Sequence, residues 1–290
     1  MILKVYIFFD NIGIRILFNI YYLYFFGENM IEIISYQEIK GNNKNIVKEE
    51  FENLVNDIKS KYKCDILSVE EDLEDDLYII VAELKVSFNS FLDYIKFPLN
   101  YTADLDVIEP PKLKIDPKEF GEALAYIITF FKNFYEKYNL AFNIPINENV
   151  TINLKDYKRG IYNEDEAFTF EEEEGLIKVK AVFEGYGISE EEVLKRILFS
   201  LENNVIINKV IAKELEKEGP YKNMGFYGLI AVELFCKPLD IIEIAYKFLP
   251  VVVSIRSESI ELDSLELQDI GNELGGVIFE LTHTVVMGRL

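Results

Sequence analysis

Two glutamates within apolar segments are the residues whose setting most suggests chemistry. Glu83 lies in the run LYIIVAELKVSF and Glu233 in the run YGLIAVELFC, and their residue numbers, 83 and 233, differ by 150. If the two carboxylates converged, they could bind a divalent cation or a basic partner, or act together as acid and base. Alternation in an antiparallel sheet instead predicts that each glutamate points to a solvent face, and this simpler interpretation is the expected one.

A second candidate is a glycine-bearing turn between a predicted strand and a predicted helix. Gly185, Tyr186 and Gly187 precede Ser189, which with Glu192 predicts a helix-capping box. The turn resembles, in position and in its two glycines, the junction that binds small ligands in the ACT family of amino-acid sensors. That resemblance implies a ligand site at Gly185 and Gly187, whereas a plain tight turn is the alternative.

The remaining reactive residue types lack the companions that catalysis or metal binding needs. The one histidine, His283, has only Glu280 near it in sequence, which predicts a helix-capping or partly buried role. Cys64 and Cys236 lack a CxxC spacing and are predicted to be buried, free thiols. No nucleotide-binding loop, HExxH or GxSxG motif occurs. We therefore expect no catalytic residue, no metal site and no cofactor.

A third acidic grouping surrounds a pair of prolines. Glu109 precedes Pro110 and Pro111, and Asp116 and Glu119 follow. These acids predict a strand bulge and a helix N-terminus, where negative charge is favourable. Paired-carboxylate catalysis is the alternative.

The elements that must position these residues recur along the chain. Residues 30–140 and 176–290 each show the order strand, helix, strand, strand, helix, strand and a closing helix. The same shift of 150 that relates Glu83 to Glu233 also relates Gly121 to Gly271. We predict an α+β fold built by tandem duplication of a ferredoxin-like module, with antiparallel sheets and helices packed on one face. Residues 141–175 are predicted to form an acidic connector.

In the first copy, the spacing of Val47, Val55 and Ile58 predicts a helix, the acidic residues 70–76 predict a turn, and Pro98 predicts the end of a short helix. In the second copy, residues 251–262 are predicted to form one strand.

Net charge limits the partners. The chain carries 51 acidic and 30 basic residues, a net charge of −21, which disfavours nucleic acid and anionic membrane surfaces. It fits a cytoplasmic protein, expected to be a homodimer, that binds a basic protein partner or a small molecule.

Residues 1–29 differ from the rest, being rich in Ile, Phe, Tyr and Leu. Three hypotheses remain open: upstream sequence ahead of a true start at Met30, a membrane anchor, or an extra strand or helix. Asp10 and Arg15 interrupt the apolar run that an anchor would need.

These observations favour a non-enzymatic interaction or small-ligand-sensing scaffold of two related domains. One alternative is a carboxylate-based, divalent-cation-dependent enzyme that uses Glu83, Glu233 or Glu109. The other is an acidic protein attached to a membrane through residues 1–29.

Overall fold

The computed structural model describes residues 30–140, 152–201 and 205–287. The fold is mixed α+β with antiparallel sheets, as predicted. In the first half the elements are β1 (Ile31–Gly41), α1 (Lys44–Lys61), β2 (Lys63–Glu74), β3 (Leu77–Phe88), α2 (Phe91–Asn100), β4 (Asp104–Glu109), β5 (Lys112–Ile115) and α3 (Pro117–Tyr138).

The second half begins with two short helices before its first strand. Its elements are α4 (Leu154–Arg159), α5 (Glu164–Glu172), β6 (Ile177–Gly187), α6 (Glu190–Leu201), β7 (Ile206–Glu214), a 3-10 turn (Gly219–Tyr221), β8 (Phe226–Cys236), α7 (Pro238–Phe248), β9 (Val252–Ile255), β10 (Ile260–Asp263) and α8 (Ser264–Met287).

Two four-stranded sheets carry the fold. Their strand orders are β2-β3-β1-β4 and β7-β8-β6-β9, and β5 and β10 form a separate two-stranded sheet. In both large sheets the two central strands pair antiparallel over their whole length. β2 and β7 occupy the equivalent edge of their sheets.

The chain divides into two compact units. The first comprises residues 30–94, Ala103–Leu113 and Asp263–Gln268, and the second comprises Ile95–Thr102, the described parts of Lys114–Leu262, and residues 269–287. In the first unit, alternate residues of β1 and β3 are buried, because α1 covers that face of the sheet. Asn43 starts α1 by accepting hydrogen bonds from the amides of Asn45 and Ile46.

In the second unit, α6 packs on the second sheet, where alternate residues of β6 are buried. Helix α3 packs against α7 and β9. The ring centroid of Phe131 in α3 lies 5.4 Å from that of Tyr246 in α7. The Tyr246 hydroxyl donates a hydrogen bond to Glu273 in α8, and burial and this carboxylate raise the pKa of that hydroxyl. Helix α3 therefore belongs to the compact unit that contains the second sheet.

The edge strands β2 and β7 each have a β-bulge, and the two bulges lie at the same place in their sheets. The register of β2 skips Leu67 between Ile66 and Ser68, opposite Leu84 and Glu83. The register of β7 skips Asn208 between Ile207 and Lys209, opposite Leu234 and Glu233. Leu67 and Asn208 are therefore the extra residues of the two bulges.

Several local predictions were wrong. The acidic cluster at residues 70–76 was expected to be a turn, but β2 runs to Glu74 and only Asp75 and Asp76 turn, with φ of 51° and 66°. Those left-handed angles are the ones that a two-residue hairpin needs, and aspartate tolerates them. Pro98 was expected to stop α2 but lies within its last turn. A continuous strand expected at residues 251–262 is interrupted between β9 and β10.

The two closing helices begin at Pro117 and Ser264. Asp116 and Asp263 both accept a hydrogen bond at the start of their helices, from the amides of Lys118 and Glu266. Their residue numbers, 116 and 263, differ by 147. That shift relates the buried residues Phe120 and Leu267, and the predicted shift of 150 relates the buried residues Leu124 and Leu274.

None of the described helices combines the length and apolar character that crossing a bilayer requires. The hypotheses about an anchor and about the start at Met30 concern residues 1–29, which lie outside the described residues.

Candidate functional site

A cavity in the first unit lies where the β1–α1 junction meets the β2–β3 hairpin. Its volume is about 390 Å³. The residues that line it are Asn42, Lys44, Glu71, Asp72, Leu73, Asp76 and Tyr78. The N-terminal start of α1 positions Lys44, and the hairpin turn positions Asp76.

Glu71 is the electrostatic centre of this cavity. Its carboxylate accepts a hydrogen bond from the Tyr78 hydroxyl, and it lies 2.6 Å from Nζ of Lys48 and 3.7 Å from Nζ of Lys44. The hydrogen bonds from Lys48 and Tyr78 lower the pKa of Glu71 to about 2. Glu71 therefore remains a carboxylate over the whole physiological range.

Tyr78 forms a rigid wall of the site. It is buried and packs in a cluster with Val47 and Ile80, and Nζ of Lys44 lies 4.7 Å from its ring centroid, a cation–π contact. By contrast, Asp76 makes no hydrogen bond or ion pair with any described residue. The cavity thus presents an ammonium group on one side and a carboxylate at the hairpin turn.

The glycines predicted as a ligand site lie in the other unit and pack closely against α6. Gly185 and Gly187 continue β6, paired with Gly228 and Phe226, so the predicted turn is wrong. A Cβ atom on Gly185 would lie 2.8 Å from Cγ1 of Val193, and one on Gly187 would lie 2.7 Å from Cγ2 of the same residue. These glycines allow α6 to pack closely on β6. Ser189 does cap α6, as predicted.

Glu83 lies on the face of the first sheet opposite α1, as alternation predicted. It pairs across the strands with Tyr36, whose hydroxyl donates a hydrogen bond to Asp106 at 2.9 Å. The carboxylate of Glu83 has no hydrogen bond or ion pair with a described residue. It is a half-buried carboxylate on an otherwise open sheet face.

Glu233 has the corresponding place in the second sheet but is engaged. It accepts a hydrogen bond from Nδ2 of Asn208 at 2.8 Å, and Nζ of Lys178 lies 3.8 Å away. Oδ1 of Asn208 accepts hydrogen bonds from the backbone amides of Ile161 and Tyr162, at 3.0 and 2.9 Å. Glu233 therefore helps to hold the α4–α5 segment against β7.

The other predicted residues have structural positions. Cys64 and Cys236 are free and buried, as predicted, and burial raises the pKa of both thiols. His283 was expected to cap a helix or be partly buried, but it is exposed on α8, stacked on Phe279. Glu109 pairs with Glu32 beside a β-bulge in β4, where the register skips Ile108, in agreement with the predicted bulge.

Within the described parts of the chain, no group of three or more His, Cys, Asp or Glu side chains could hold a metal ion. Lys44, Glu71 and Tyr78 were not singled out from the sequence. The acidic run that contains Glu71 was interpreted as a turn, so Glu71 was not expected on a strand beside α1.

Comparison with known proteins places the chain in a family. Uncharacterized protein MJ0538 of Methanocaldococcus jannaschii is 47% identical to it over 265 residues, which is 90% of this chain and 100% of the relative. No solved structure matches the chain significantly. The model of the MJ0538 family matches residues 32–288. The protein therefore belongs to the MJ0538 family.

Proposed function

We propose that this protein is a non-enzymatic scaffold of two ferredoxin-like copies, and that the first copy binds a small zwitterionic ligand such as a free amino acid. The observation that carries the proposal is the cavity between Lys44 and Asp76. It combines opposite charges on a rigid aromatic wall, at the strand–helix junction where the sequence suggested a site in the second copy.

The strand orders support the duplication. A ferredoxin-like module places its first and third strands at the centre and its second and fourth at the edges, which is the order found in both sheets. The bulges opposite Glu83 and Glu233 occupy the same position in both edge strands. Bulges are retained features of a strand pair, so their coincidence favours a common origin.

The chemistry of the cavity favours binding over catalysis. A general acid or base needs a pKa near the working pH, whereas the pKa of Glu71 is lowered to about 2. Glu71 therefore serves as a fixed negative charge that holds Lys44 and Lys48 in place. Lys44 can then meet the carboxylate of a ligand, and Asp76 its amino group.

The aromatic wall of the cavity has no room at the same place in the second copy. The cross-strand pair Gly41 and Tyr78 of the first sheet corresponds to Gly185 and Gly228 in the second. A Cβ atom on Gly228 would lie 2.4 Å from the carbonyl oxygen of Lys213, so no aromatic wall fits there. Ligand binding by one copy only is the expected stoichiometry.

The test is a thermal-shift screen of the full chain against free amino acids, followed by calorimetry on any hit. A ligand at about 100 times its Kd stabilises the folded state by ~2.7 kcal/mol, which gives a measurable rise in Tm. Lys44→Ala and Asp76→Asn should each weaken binding roughly tenfold, because each removes one charge-assisted contact. Asn also tolerates the left-handed turn at position 76.

Lys213→Ala, an exposed lysine of β7, is the matched control and should bind as the unmodified protein does. No rise in Tm with any amino acid would refute the proposal. So would a hit whose affinity is the same in both cavity variants.

A further inference from the structure

We propose that two copies of this chain associate through the edge of β2, antiparallel, about a twofold axis that passes between Leu67 and Ser68. The two first sheets would then form one continuous sheet across the dimer. The proposal does not depend on ligand binding, although Asp72 at this edge also lines the cavity.

The edge of β2 is available for pairing. The strand pairs with β3 on one side, and no other strand of the described chain pairs with its second side. An edge strand of this kind presents a row of unpaired backbone amides and carbonyls, which is a template for another strand.

The middle of the strand is apolar and exposed. The exposed fractions of Ile66, Leu67 and Val69 are 41%, 51% and 44%. Exposed edges are commonly protected by central charges or prolines, and this one has neither at its centre. These three side chains would lie at the twofold axis and lose their contact with water on association.

Charge favours one orientation. Lys63 stands at the start of β2, preceded by Lys59 and Lys61 in the last turn of α1, and the acids Glu70, Glu71, Asp72 and Glu74 occupy the end. Antiparallel pairing sets the basic start of one copy beside the acidic end of the other, whereas parallel pairing would set like charges together.

The axis between Leu67 and Ser68 also keeps each residue on its own face of the sheet. Ile66 and Val69 share the face of α1 and would lie opposite one another. Lys63 and Asp72 share the other face and would form an ion pair, twice in the dimer. Asp65 opposite Glu70 is the one like-charged pair, and both side chains are exposed to water.

The corresponding edge of the second sheet is not available. The amide of Ile161 donates a hydrogen bond to the carbonyl oxygen of Asn208 at 3.0 Å, so the α4–α5 segment already satisfies part of the edge of β7. At the bulge, Asn208 is buried under this segment whereas Leu67 is exposed. Because the contact at β2 is self-complementary about a twofold axis, it gives a closed dimer and not a filament.

The test is the mass of the ligand-free full chain by light scattering and sedimentation over a range of concentrations. A dimer is expected. Lys63→Glu should raise the dissociation constant at least tenfold, because it replaces two attractions with two repulsions. The double variant Lys63→Glu with Asp72→Lys should restore the dimer, and Lys213→Glu on β7 should leave it unchanged.

A second measurement uses the unmodified protein and so does not depend on variants that could misfold. Hydrogen exchange at the β2 amides should slow as the protein concentration rises, while exchange in β7 should not change. A monomer at every concentration would overturn the proposal. A dimer that survives both Lys63→Glu and Val69→Lys, or one that the charge-swapped double variant fails to restore, would overturn it too.

Discussion

Replacing Asn208 by alanine tests whether this residue holds the α4–α5 segment on the second sheet. Its side chain makes three hydrogen bonds, to the amides of Ile161 and Tyr162 and to Glu233. In Asn208→Ala the Ile161 amide keeps its bond to the backbone carbonyl of residue 208. The Tyr162 amide is left without an acceptor, and Glu233 keeps only Lys178, 3.8 Å away.

The expected loss of stability follows from the Tyr162 amide and the Glu233 carboxylate. A buried donor left without a partner costs ~1–3 kcal/mol, and Tyr162 is only half-buried, so about 2 kcal/mol is expected for Asn208→Ala. For a protein of this size that corresponds to a fall in Tm of roughly 4–8 °C. Urea unfolding followed by circular dichroism measures the free energy directly.

Lys213→Ala, on the same strand and exposed, is the matched control and should change stability by less than about 0.5 kcal/mol. Hydrogen exchange at Ile161 and Tyr162 should become faster in Asn208→Ala alone. If Asn208→Ala is no less stable than Lys213→Ala, the Asn208 network does not hold the segment, and the distinction drawn between Glu83 and Glu233 is wrong.

Two further predictions concern protonation. The pKa of Glu71 is about 2 in the folded chain against an ordinary 4.5, so its stabilising effect is complete above pH 4.5 and is lost as the pH falls towards 2. The stability difference between the unmodified protein and Glu71→Gln should therefore shrink over that interval in urea titrations, and a constant difference would contradict the assignment. The buried thiols of Cys64 and Cys236, with raised pKa values, should resist a thiol reagent in the native protein and both react after unfolding; rapid labelling of Cys236 in the folded chain would refute its burial.

Local patterns were sufficient for most elements and for the faces of the strands. Alternation in β3 and β8 predicted that Glu83 and Glu233 lie opposite the buried residues, and both do. The helical spacing of Val47, Val55 and Ile58 predicted α1, and these residues are buried against the sheet. Such patterns are reliable because burial of one face imposes its period directly on the sequence.

Predictions failed where local chemistry was compatible with two conformations. The acids at residues 70–74 were assigned to a turn, yet they extend β2 because backbone pairing with β3 outweighs the weak strand preference of acidic residues. Gly185 and Gly187 were assigned to a turn for the usual reason that glycine favours turns. In β6 they instead allow close approach of α6, a requirement set by Val193 in another element.

The sequence by itself determined the α+β class, the faces of the strands, the burial of both cysteines and the strongly acidic charge, because composition and period report local burial. Only the tertiary structure decided that Glu233 is hydrogen-bonded to Asn208 while the Glu83 carboxylate has no partner among the described residues, and that Lys44, Glu71 and Tyr78 share a cavity. Those outcomes depend on contacts between segments distant in sequence, and no local pattern records which distant segment will pack against which strand.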